Sequence, residues 1–118
     1  MRPIYMPASA TAGDSAAVIL DKYLDPTNVL LTVELYGGTG GSYTVYYSPD
    51  DPFATYTTSY TANANWYAHP TLVTLSADGT DQMSIPAQAV KLTTVTPATG
   101  STQTPRLVVI QAGGHGQA

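Results

Sequence analysis

The chain is cut into short pieces by Gly, Pro and Asp, and within the pieces aliphatic residues alternate with Thr and Tyr. Residues 27–36 (TNVLLTVELY) set Leu31, Val33 and Leu35 against Leu30, Thr32 and Glu34. Residues 89–95 (AVKLTTV) set Val90, Leu92 and Thr94 against Ala89, Lys91 and Thr93. A period of two sends alternate side chains to opposite faces of a strand, so one set of the early strand is expected in a core and Glu34 in water. Residues 17–20, 42–48, 72–75 and 82–86 read as further short strands. A short helix over 14–24, capped by Asp14 or Ser15, is an alternative for the first of them. Residues 106–111 (RLVVIQ) are apolar at four successive positions. Burial on both faces, hence a central strand, is the expectation there.

Turn chemistry separates these runs. Leu24-Asp25-Pro26-Thr27 and Ala77-Asp78-Gly79 are turn signals, and Pro49-Asp50-Asp51-Pro52 ends its strand firmly. Gly37-Gly38-Thr39-Gly40-Gly41 lies between two patterned strands, which predicts a hairpin loop. Seven or eight short strands with no strong helix indicate an all-β fold, an antiparallel β-sandwich of jelly-roll-like form. Residues 1–16 are expected as an extended N-terminal arm, since Pro3 and Pro7 remove two N–H donors. Pro3-Ile4-Tyr5-Met6-Pro7 would lie as an edge strand or reach onto a neighbour. The sandwich is expected over 17–113 and a flexible tail over 114–118.

At 118 residues the chain is long enough for one core, burying roughly 65% of the surface its unfolded form exposes. It contains no Cys, which excludes disulfides, thiolate nucleophiles and Cys-ligated zinc. Four Lys and Arg stand against eight Asp and Glu, and the four cations are scattered. Nucleic acid and anionic membrane surfaces need clustered cations, so neither is an expected partner. No secretory segment or membrane span is expected from the Pro-broken N-terminus. Charged residues make up 10% of the chain, against ~25% in ordinary soluble domains, while Thr fills 18 positions and Tyr 9. A surface solvated by hydroxyls rather than charges suits a protein packed against neighbours.

The chemically suggestive groups each have a structural alternative. Asp50-Asp51 offers oxygen to a calcium ion but lacks the ligand spacing of a calcium loop, so turn formation is expected. His69 would need a hydroxyl or metal and an orienting carboxylate, and no spacing links it to Ser59 or Asp78. The Gly37–Gly41 run lacks the Lys-Ser/Thr and the following helix of a phosphate loop. No catalytic residue, metal site or cofactor is expected. Residues 53–70 form a long stretch of weak periodicity, which in compact domains is usually functional or ordered by a partner. Within it, Trp66 is either a fold anchor with its N–H on a backbone carbonyl or a protein contact. With Tyr67, Tyr56 and Tyr60 it could also form part of a sugar platform. Pro3, Ile4, Tyr5, Trp66 and Tyr67 are the expected partner contacts.

The order YYSPDDPFA, NANWYAHPTLVTLSADG, IPAQAVKLTTVTPATG and RLVVIQAG resembles that of small virion structural proteins of tailed bacteriophages. The pieces carrying the likeness are Asp50-Asp51-Pro52, Trp66 with His69 and Leu72, residues 86–92 and residues 109–113. They cover about residues 30–113, with a longer and more Pro-rich 96–105 loop as the departure. The resemblance implies a non-enzymatic particle component, foremost a capsid decoration (cement) protein and next a neck or tail accessory piece. It also implies a place on the virion, with the major capsid protein or other virion subunits as partners and a homo-oligomeric state. It supplies no catalytic residues.

Overall fold

A computed structural model of the chain describes residues 3–20, 29–83 and 86–111. Its strands are β1 (Ile4–Pro7), β2 (Gly13–Asp14), β3 (Val18–Ile19), β4 (Val29–Glu34) and β5 (Ser42–Ser48), followed by β6 (Tyr67–Ala68), β7 (Gly79–Met83), β8 (Ala89–Thr96) and β9 (Arg106–Gln111). One helical turn, α1 (Tyr60–Asn63), interrupts them. Two antiparallel sheets pack together as an all-β sandwich. The first has the order β1-β9-β4-β7 and the second β2-β8-β5-β6, with β3 also paired to β8. Principal extents of 41 × 39 × 22 Å make the molecule a slab.

The alternation seen in the sequence is what builds the core. Val29, Leu31, Val33 and Leu35 from the β4 segment are all buried, while Leu30 between them is 40% exposed. Leu107 and Val109 of β9, Tyr43 and Val45 of β5, and Val90 and Leu92 of β8 close the same cluster. Met83, Val18, Leu20 and Leu72 complete it. Each such aliphatic side chain contributes about 1.5–3 kcal/mol on leaving water. β9 lies between β1 and β4, the central place its continuous apolar run indicates, and Leu107, Val108 and Val109 are buried in it.

Residues 3–16, expected as an arm, supply edge strands to both sheets. β1 pairs with β9 from Ile4↔Val109 to Pro7↔Arg106, and β2 pairs with β8 through Gly13↔Thr94 and Asp14↔Thr93. Ile4 and Met6 pack against the core, so the segment carries its own period of two. Within residues 14–20, the described part of the alternative helix over 14–24, the structure has the short strand β3 instead.

Two further expectations are corrected. β4 and β5 do not form a hairpin: β4 pairs with β7 and β9 in one sheet, and β5 pairs with β6 and β8 in the other. The glycine run crosses between the layers. A hairpin and a crossing loop both leave alternate residues facing one core, so the pattern cannot separate them. Residues 72–75 run alongside β5, with Val45 N–H donating to the Leu72 carbonyl and Leu75 N–H to that of Tyr43. Thr74, at φ 48°, breaks the extended path, and only the Tyr43↔Leu75 bridge forms. The turn at 24–27, residues 84 and 85 of the 82–86 strand, and the tail lie outside the described residues.

Candidate interaction surfaces

The long aromatic stretch is a roof over the outer face of the second sheet. That face presents Thr44 and Ser48 from β5 and Lys91 from β8, and all three are buried. Trp66 sits half-buried above them, its ring centroid 4.4 Å from the Lys91 ammonium. The indole N–H donates to the Thr61 carbonyl at 3.0 Å. Tyr60 meets Trp66 edge-on at 5.5 Å between centroids, and Tyr56 meets Tyr60 edge-on at 5.4 Å. The Tyr60 hydroxyl donates to the Asp50 carbonyl and the Tyr56 hydroxyl to the Asp51 carbonyl. Desolvation and the Asp50 and Asp51 charges push both phenols above 10.0, which keeps them neutral donors. α1 is capped by Ser59, whose side chain accepts from Ala62 N–H.

The sequence sets Lys91 on the opposite side of its strand from Val90, Leu92 and Thr94 and assigns neither side to the core; the structure puts it 5% exposed beneath the roof. Its ammonium donates to Asp14 Oδ2 at 2.7 Å, and the Thr93 hydroxyl donates to Oδ1. Desolvation raises the Asp14 carboxyl, but these two donors and the Lys91 charge outweigh it and hold the group below 3.8. Strand β2, ion pair and indole thus form one stack, a cation set between a carboxylate and an aromatic face.

His69 is a latch for the turn that follows the roof. It is 4% exposed, and its Nδ1 lies 3.2 Å from both Thr71 N and Leu72 N. Two backbone N–H donors on Nδ1 leave the ring proton to Nε2, which faces the Gln82 carbonyl at 3.1 Å. Both ring nitrogens are thereby engaged by main chain, and the imidazole ties residues 69–72 to β7. Thr71 in turn donates to Asp81, and that bond with the Gln82 N–H holds the Asp81 carboxyl below 3.8.

Among the described residues, the outer face of the first sheet has no such roof. Tyr5, Val108, Thr32 and Thr80 lie in register across its four strands, with Leu30, Ile110 and Gln82 in the row two residues away. Tyr5 is 50% exposed and Leu30 40% exposed, while Val108 is shielded by its neighbours. At one end Arg106 pairs with Glu34 at 3.1 Å and lies over the Tyr5 ring, 3.9 Å from its centroid. The result is an apolar and hydroxyl band closed by one ion pair.

The five expected contact residues are not brought together. Tyr5 belongs to the open face of the first sheet, whereas Ile4 beside it turns inward and Pro3 is half-buried. Trp66 covers Lys91 on the second sheet, and Tyr67 is 51% exposed on edge strand β6, 6.0 Å from Tyr47. Asp50 and Asp51 act as turn formers: Asp50 Oδ2 accepts from Asn65 N–H and Asp51 Oδ1 from Phe53 N–H. Phe53, which no sequence pattern singled out, is 82% exposed. Among the described residues no helix is long and apolar enough to cross a membrane. No protein-family model, curated protein or solved structure matches the chain.

Proposed function

We propose that the chain is a non-enzymatic virion structural protein, foremost a capsid decoration (cement) protein that stabilises a phage head. The observation that carries this is the asymmetry of the slab. One outer face is roofed by the chain's own loop, and on the other the described residues leave Tyr5 and Leu30 exposed beside half-buried Thr32 and Ile110. Aromatic and aliphatic area with few charges is the composition of a protein contact core. A ligand that spans shell subunits favours the assembled state over the dissociated one, and so stabilises it by linkage. The same face would serve contacts between copies in a homo-oligomer.

The finer fold reading, a jelly roll, is supported by the strand order. Apart from β2 to β3 and β5 to β6, successive strands pass between the sheets, and the orders β1-β9-β4-β7 and β2-β8-β5-β6 are those of two Greek keys wrapped together. A neck or tail accessory role uses the same chemistry on another particle surface. A glycan-binding module has less support, because the aromatic rings meet edge-on and the Tyr56, Tyr60 and Trp66 donors are spent on backbone carbonyls.

Sedimentation of purified particles with quantitation of the chain tests the proposal. A decoration protein is expected on heads in many copies, in fixed ratio to the shell subunit. A few copies per particle would move it to the neck or tail. Absence from particles, or turnover of a substrate by the purified chain, would overturn the proposal.

A further inference from the structure

We propose that Phe53 is a preorganised docking knob for an apolar socket with a basic rim on another protein. It is the only Phe of the chain and, at 82% exposure, the most exposed large apolar side chain among the described residues. An exposed aromatic on a slack loop would be unremarked, but this one stands on a fixed turn. Asp51 Oδ1 accepts from the Phe53 N–H at 2.9 Å, and the Asp51 carbonyl accepts from Ala54 N–H and from the Tyr56 hydroxyl. The preceding residue is held as firmly. Asp50 N–H donates to Ser48 Oγ, its carbonyl accepts from Tyr60, and its Oδ2 accepts from Asn65 N–H at 2.7 Å. Six hydrogen bonds therefore orient the two residues next to Pro52-Phe53. A side chain carried on a fixed backbone turn loses less freedom on docking than one on a slack loop, and an aromatic that fills a pocket is the usual form of a binding hot spot.

Charge decides the occupant. Both described cations are committed within the chain, Lys91 to Asp14 and Arg106 to Glu34. Asp50 and Asp51, which flank the knob, have no cationic partner in any described ion pair. The described surface of a second copy thus presents carboxylates without a free basic rim, and an anionic lipid surface would repel the pair as well. A socket bordered by Lys or Arg matches both the ring and its two flanking charges. This deepens the proposed function and rests on it for one point, that the partner is a neighbouring subunit of the particle.

The experiment places a photo-cross-linker at the knob, Phe53→p-benzoylphenylalanine, in the full chain within the producing cell. The expected product is an adduct with a protein other than this chain, joined at an apolar site flanked by Lys or Arg. That protein, once identified and purified, is then titrated with variants. Phe53→Ala should weaken binding roughly tenfold or more with an unchanged melting curve. Asp50→Asn with Asp51→Asn keeps the side-chain acceptors of the turn, and should slow association and flatten its salt dependence. No adduct, an adduct with another copy of this chain only, or an acidic contact site overturns the knob. An adduct with a protein that is not a particle subunit keeps the knob and removes the virion role. A chain present on particles but without an adduct at position 53 does the reverse.

Discussion

Individual side chains in this protein are assigned more to holding loops than to chemistry. Trp66 was recognisable as an anchor from its type, and the predicted backbone partner for its N–H exists. What it anchors was not legible, because Lys91 and Asp14 are 77 residues apart in the chain. Trp66→Ala is expected to cost ~2–3 kcal/mol in urea unfolding, less than for a fully enclosed Trp, since the ring is half-buried. The ion pair beneath it separates two effects. Asp14→Ala leaves the Lys91 ammonium buried with only an aromatic face, and should cost about 1–3 kcal/mol. Lys91→Met, which fills the same space without a charge, should cost less than Asp14→Ala. The pH dependence has a defined sign. Asp14 and Asp81 are held below 3.8, so their stabilisation is complete above that value and is lost as pH falls through their lower folded-state values. The urea midpoint should therefore drop below about pH 4, and Asp14→Asn should flatten that drop. His69→Ala should cost ~2–3 kcal/mol by orphaning Thr71 and Leu72 N–H groups, whereas His69→Asn restores an acceptor and recovers part of it.

At the scale of elements, the longer strands are legible in the sequence, while the short strands β2 and β6, the single bridge at 72–75 and the strand pairing are not. Period-two patterning in residues 30–35 foretells which side chains face the core, and burial agrees at Leu31, Val33 and Leu35; in residues 89–94 members of both alternating sets are buried, because the roof covers Lys91. The partner of each strand depends on contacts far away in the chain, and so the glycine loop was misread as a hairpin. Its glycines nevertheless have assigned reasons. A Cβ on Gly41 would sit 2.8 Å from both the nitrogen and the Cβ of Ala98, in the loop that joins β8 to β9. Gly41→Ala should destabilise by ~1–3 kcal/mol, because backbone must move to admit the methyl group. Gly37, at φ 79° with nothing within 4 Å, needs only a positive φ, and Gly37→Asn should be tolerated with a far smaller change in melting temperature.

Over the whole molecule the two outer faces differ in what a charge would do to them. Leu30→Lys on the open face should change monomer stability by no more than ~0.5 kcal/mol, as expected of an exposed position. It should reduce association, read by light scattering coupled to size exclusion and by retention on particles. Unimpaired assembly by that variant would argue that the open band of the first sheet is not a contact. The sequence by itself determined the class of fold, the inward set of residues and the shortage of charge, because periodicity and composition act locally and need no knowledge of partners. Only the tertiary structure decided that the N-terminal segment is sheet edge and that the aromatic stretch is a roof. It also decided that His69 is a latch and that Phe53 stands exposed. Each of these depends on which distant segment lies opposite, and an alternating pattern is satisfied equally well by many such pairings.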